Sequence, residues 1–252
     1  MMGVLERAYI KKLKPLLNKQ FRDASVFVLH GMTDSTDYAV NKREPEQRGL
    51  LLEHYKRVTT VFGKKAFKII KNNKFISPTE TKEPLDEYWR VMDLWAQMEA
   101  AQKIVRIQRT TKIKIAKIIQ FGMKEGESHR EIAKRIEKTS RAINSYRAQT
   151  IALTETHTAA VKSVDAAIAS TRIKMEKEWI SSKDLRTRAH DRGDVFDHFK
   201  KFPNGPDGER VAQDDKFTGT GELLDYPGDP KGSPANIVRC RCVVIYHTVQ
   251  NN

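Results

Sequence analysis

The sequence is short of three things. It has no run of about 18 apolar residues, so no membrane-spanning helix is expected. It has only two cysteines in 252 residues, which excludes the disulfide framework of a secreted scaffold. They stand one residue apart, Cys240 and Cys242, in "SPANIVRCRCVVIY". On a strand, such residues lie about 6.5–7 Å apart, near the upper limit for an unstrained bridge, so no bond between them is expected. The third scarcity is local: no acidic residue occurs between Ala100 and Lys124. The opening stretch, "MMGVLERAYIKKLKPLL", also lacks a continuous apolar core and a small-residue cleavage site. No secretory signal is therefore expected, and the chain is read as cytosolic.

The formal net charge is +14, and it is one-sided. Residues 151–252 carry 15 basic and 15 acidic groups, leaving 31 basic against 17 acidic in the first 150. Such asymmetry points to a polyanionic partner for the first part and a different task for the second. The acid-free stretch holds Lys103, Arg106, Arg109, Lys112, Lys114, Lys117 and Lys124. On a helix, Lys103, Arg106, Arg109 and Lys117 fall loosely on one side and Ile104, Ile107, Ile115 and Ile118 on another. Clustered cations neutralise phosphates and release counterions; about six phosphate contacts give a log–log salt slope of roughly −5. An acidic protein surface satisfies the same charges.

Periodicity divides the chain into a helical region at 1–78, a basic helical region at 84–170 and a smaller domain at 171–252, an α+β protein overall. Residues 4–22 read as an amphipathic helix that Pro15 kinks or breaks. A second helix runs from about Glu46 to Lys71, weakened by Gly63. "NNKFISPTETKEP" reads as a linker. Pro84 opens a long helix with Gly122 placed past its end. Ser128 and Glu131 form a capping-box pattern for the next helix, which extends to about Ser170. Beyond Thr171, "RIKMEKEWI" and "CVVIY" read as strands, and seven of the thirteen glycines lie from Gly193 to Gly232.

Several motifs invite a chemical reading. "TGTGEL" lacks the strand–loop–helix setting and the Lys-Ser/Thr of a phosphate loop, and reads as a turn. His157 and Glu155 are two residues apart on a helix and cannot pair there, so His157 is assigned to the surface or a helix contact. Arg147 and Glu155, about two turns apart, suit a polar helix-packing network. If Cys240 and Cys242 share a strand, both thiols face one side and can bind one tetrahedral ion. His190 or His198 then serves as third ligand, with Asp191, Asp194 or His247 as fourth. A structural zinc supplies on the order of 10 kcal/mol, useful to a glycine-rich domain. The alternative is a pair of small buried thiols and a hydrogen-bonded His190. A catalytic reading would make His190, Cys240 and Cys242 the centre of a metal-dependent nucleic-acid enzyme, and a further alternative is a general DNA-binding protein.

Four segments in this order, "RAQTIALTET", "EWISSKDLRTRAH", "LLDYPGDP" and "PANIVRCRC", resemble the phage Mu F-like family of head-morphogenesis, or minor head, proteins. The resemblance covers roughly Ile118 to Tyr246. It implies signature positions at Arg147, Glu155, Trp179, Asp184, Arg188, His190, Asn236, Cys240, Arg241 and Cys242. Two departures are "HDRGD" after the His segment and Val238-Arg239 between Ile237 and Cys240. The resemblance also implies a non-enzymatic virion protein of the phage head, present in few copies. Its implied partners are the portal protein, phage double-stranded DNA, and capsid or scaffold proteins, with a stay in the host cytoplasm during assembly.

Overall fold

The computed structural model describes residues 1–72, 84–171 and 173–249. The linker expected at 72–84 falls, for residues 73–83, outside the described residues. The elements are α1 (Met2–Leu29), α2 (Thr36–Asn41), α3 (Glu44–Lys71), α4 (Pro84–Lys124), α5 (His129–Ser170), β1 (Met175–Ile180), β2 (Arg210–Ala212), α6 (Pro234–Ile237) and β3 (Val243–Thr248). The architecture is α+β: long helices followed by a small antiparallel sheet of order β2-β1-β3. Among the described residues, no helix is long and apolar enough to cross a membrane.

Of three local expectations, the helix through Gly63 holds and the other two need correction. Pro15 does not end α1, which continues to Leu29. Pro15 itself is exposed while Leu13, Leu16 and Leu17 beside it are buried, so packing on both sides outweighs the one lost hydrogen bond. Gly63 does not interrupt α3; a Cβ there would lie 2.2 Å from the Tyr88 hydroxyl, so the glycine admits that ring. Gly122 is inside α4 rather than beyond it. The stop is Gly126, at φ +71°, after which the Glu127 N–H returns to the Gly122 carbonyl at 2.8 Å, as in a left-handed C-terminal cap. The Ser128–Glu131 capping box forms: the Ser128 N–H donates to Glu131 Oε2 at 2.8 Å, and the Glu131 N–H to Ser128 Oγ at 3.4 Å.

The chain forms two compact units, Met1–His54 with Ala96–Ala152 and Tyr55–Trp95 with Leu153–Asn252. This division differs from the three consecutive regions read from composition, because α3, α4 and α5 each contribute one stretch to either unit. The first unit has a core of Phe21, Ala24 and Val28 on α1, Val40 on α2, Ile115 and Ile119 on α4, and Ile132 and Ile136 on α5. In the second, Ala66, Tyr88, Met92, Ala166 and Ala167 pack together. There too, Ile70 and Ile168 meet Met175 of β1. The sheet is thus built onto the end of α5. On β1, alternation buries Met175, Lys177 and Trp179 and pairs Trp179 with Val244 of β3.

Candidate functional site: a sulfur–imidazole centre and a cationic helix face

Cys240 and Cys242 precede β3 rather than lying within it. Arg239, at φ +58°, turns the chain between α6 and this segment, and its N–H is held by Thr154 Oγ1 of α5 at 3.0 Å. Both thiols are free and buried. The imidazole that meets them belongs to His198: its Nδ1 lies 3.8 Å from Cys240 Sγ and 3.6 Å from Cys242 Sγ. These three ligand atoms all lie within 4.8 Å of one another.

His190, expected beside the sulfurs, stands elsewhere. It is exposed, with Nε2 3.2 Å from the Val195 carbonyl and its backbone N–H on Asp197 Oδ2 at 3.1 Å. The intervening loop reverses direction at Gly193, which carries His198 inward and leaves His190 outside. The signal available in the sequence was the apolar company of His198 in "VFDHF" against the charged company of His190 in "AHDRGD".

The remaining signature residues hold this centre together. His198 Nε2 lies 2.6 Å from Asn236 Oδ1, and Asn236 Nδ2 donates to Thr220 Oγ1 at 3.1 Å and Glu222 Oε2 at 3.0 Å. A carboxylate only accepts, so the amide orientation is fixed and Oδ1 is left to accept the Nε2–H. Arg188 Nε donates to the Ala235 carbonyl at 2.6 Å and Nη2 to the Val238 carbonyl, lashing the histidine segment to the cysteine segment. Asp184 pairs with Arg241. Trp179 is fully buried and edge-on to His198 at 5.5 Å. The neighbouring Cys242 sulfur and burial push the Cys240 thiol well above its ordinary range, while Cys240 and His198 pull Cys242 well below it.

Arg147 and Glu155 take separate partners. Arg147 donates to Asn144 Oδ1 at 3.0 Å and Thr111 Oγ1 at 2.9 Å, and burial pulls its pKa down to about 10. Glu155 accepts from the Tyr55 hydroxyl at 2.6 Å. His157 is neither surface nor a purely helical contact. It is buried against Gly228, where a Cβ would approach its Cδ2 to 2.9 Å, and burial lowers its pKa to about 4. The "TGTGEL" loop is a turn whose inward N–H groups hold an internal anion: Thr218 N–H and Gly219 N–H donate to the buried Glu209 carboxylate at 2.7 and 2.8 Å.

The acid-free stretch of α4 sorts its cations. Lys103 is buried and 3.8 Å from Glu99, so it leaves the exposed set. Lys112 is half-buried and paired with Asp37 at 3.3 Å, and Lys114 is half-buried. Arg106, Arg109, Lys117 and Lys124 are exposed, with no ion pair among the described residues.

The chain matches the family described as Phage Mu protein F like protein over residues 113–245. It belongs to that family. The match runs from the second half of α4 through the sulfur–imidazole centre into β3, so the Mu F-like segment contains α5, β1, β2 and every signature residue named above. As a Mu F-like protein the chain is a phage head-morphogenesis protein, a class of structural virion component. No curated protein and no solved structure matches it.

Proposed function

We propose that this head-morphogenesis protein works without catalysis, gripping packaged double-stranded DNA through the cations of α4 and docking on the portal through its loop-rich unit. The observation that carries the DNA contact is the outward set Arg106, Arg109, Lys117 and Lys124. At 100° per residue, Arg106, Lys117 and Lys124 project within about 20° of one another over about 27 Å of helix, with Arg109 alongside. Duplex DNA offers a charge about every 1.7 Å, so such a row can meet several phosphates. Four contacts give a log–log salt slope of about −3.6, shallower than six would.

The burial of the centre favours a structural role over a nuclease. Cys240 and Cys242 are 3% and 2% exposed, out of reach of a polymer, and His190 points away from them. The electrically balanced composition of residues 151–252 suits contact with a protein surface rather than a polyanion.

Three experiments test the parts separately. A gel shift of duplex DNA against salt, with the whole chain, should give the stated slope, and a variant with alanine at all four cations should lose most of it. No shift at low salt removes DNA from the account. Co-purification with portal or procapsid shells tests the second part, and absence from both rejects portal docking. Plasmid incubated with divalent metals should stay intact; cleavage abolished by His190→Ala would instead favour the metal-dependent enzyme.

A further inference from the structure

We propose that His198 Nδ1, Cys240 Sγ and Cys242 Sγ bind one thiophilic divalent ion of the zinc class, which fastens the loop around residue 198 to the chain entering β3. The proposal is independent of DNA and portal binding.

The spacing fits an ion better than a hydrogen bond. With zinc–sulfur and zinc–nitrogen bonds of about 2.3 and 2.0–2.1 Å, a tetrahedral centre separates sulfur from nitrogen by about 3.6 Å. The two observed separations are 3.6 and 3.8 Å. A single imidazole lone pair accepts from only one S–H at a time, yet both sulfurs approach it almost equally.

The surrounding residues prepare the imidazole for coordination. Asn236 Oδ1 takes the Nε2–H, which leaves the Nδ1 lone pair facing the sulfurs. The Asn236 amide is itself locked by the Glu222 carboxylate, and Ser233 N–H donates to the same carboxylate oxygen at 2.9 Å. A ligating histidine whose other nitrogen is held by an oriented carbonyl is the usual outer support of a metal centre. Two thiols with one histidine also select zinc over magnesium or calcium, which prefer oxygen. The donors come from distant chain positions, 198 and 240–242, so an ion would close a long loop in a region of turns. Trp179, Phe217 and Leu224 pack around the thiols and exclude competing solvent. No fourth His, Cys, Asp or Glu joins the group among the described residues, so the protein supplies three of the four tetrahedral positions.

The test uses the whole chain purified from zinc-supplemented cells. Elemental analysis should find one zinc per chain. Replacement by cobalt should give an intense thiolate-to-cobalt charge-transfer band with the visible spectrum of a tetrahedral ion. Cys240→Ser, Cys242→Ser and His198→Asn should each lose the ion or weaken it by at least tenfold, whereas His190→Ala keeps it. If the three variants fail to fold, a chromogenic chelator titrated into the unmodified chain should release one zinc as two thiols become reactive. Metal-free protein that gives no sulfur-to-cobalt band overturns the proposal. So does zinc retained unchanged by Cys240→Ser and His198→Asn, which would mark the ion as adventitious.

Discussion

The exposed cations of α4 and those of the loops after β1 meet opposite fates. On α4, Arg106, Arg109, Lys117 and Lys124 face water without acidic partners among the described residues. In the loops, cations meet carboxylates. Lys183 and Lys201 converge on Asp207 at 2.8 and 3.0 Å, and Lys231 holds Asp225 at 2.7 Å. Even backbone donors are committed to acids, as Glu209 and Asp197 show. Charge therefore does different jobs in the two places. In the loops it ties irregular chain together, where few large apolar side chains are available and buried polar groups must be paired. On α4 the isoleucines supply the packing, so the outward cations are free for a partner. The zero balance of residues 151–252 reflects internal use, and the +14 of the first 150 reflects surplus.

Substitutions can break or sharpen that contrast. The largest effect should come from Trp179→Ala, which empties the centre of the cluster with Phe217, Leu224 and the two cysteines. It should cost about 3–5 kcal/mol of stability in denaturant melts, and a loss under 1 kcal/mol would mean that this cluster is not the core of the loop-rich region. Next, Glu209→Ala should remove about 2–3 kcal/mol, because the Thr218 and Gly219 donors lose a buried carboxylate. Hydrogen exchange should show the Thr218 and Gly219 amides losing protection in that variant; amides as protected as before would contradict the anion-filled turn. A smaller loss, about 1–3 kcal/mol, should follow Gly63→Ala. The Tyr88 hydroxyl beside it is fixed by the Thr59 carbonyl at 2.8 Å and Ser163 Oγ at 2.6 Å, so it cannot yield cheaply. The smallest effect on stability belongs to Arg106→Ala with Lys117→Ala, within about 0.5 kcal/mol, although the salt slope of DNA binding should fall by about two. A large destabilisation there would show that these cations serve the fold.

Much of the helical framework was legible because it rests on local rules. The 3.6-residue spacing of Leu51, Tyr55 and Val58, Pro84 at a first turn, and the Ser128–Glu131 box act within a few residues of themselves. The stretches "RIKMEKEWI" and "CVVIY", which contain β1 and overlap β3, were legible for the same reason. The errors fell where distant packing decides. Pro15 carries a negative local propensity, but neighbouring leucines override it. Gly122 and Gly126 both resemble helix stops, but Gly126 takes the left-handed turn while Gly122 makes room for Ile132, whose Cγ1 would lie 2.5 Å from a Cβ there. The choice between His190 and His198 could not be read from spacing, since eight residues of loop allow either to turn inward.

The amino-acid sequence by itself determined the long helices, the two flanking strands, the uneven charge and the family to which the chain belongs, because each is written in neighbouring residues or in composition. Tertiary structure alone decided which imidazole meets the sulfurs, which lysines are buried and which glycine carries the turn. Those outcomes depend on contacts between positions tens of residues apart, where burial and hydrogen-bond satisfaction outweigh local preference.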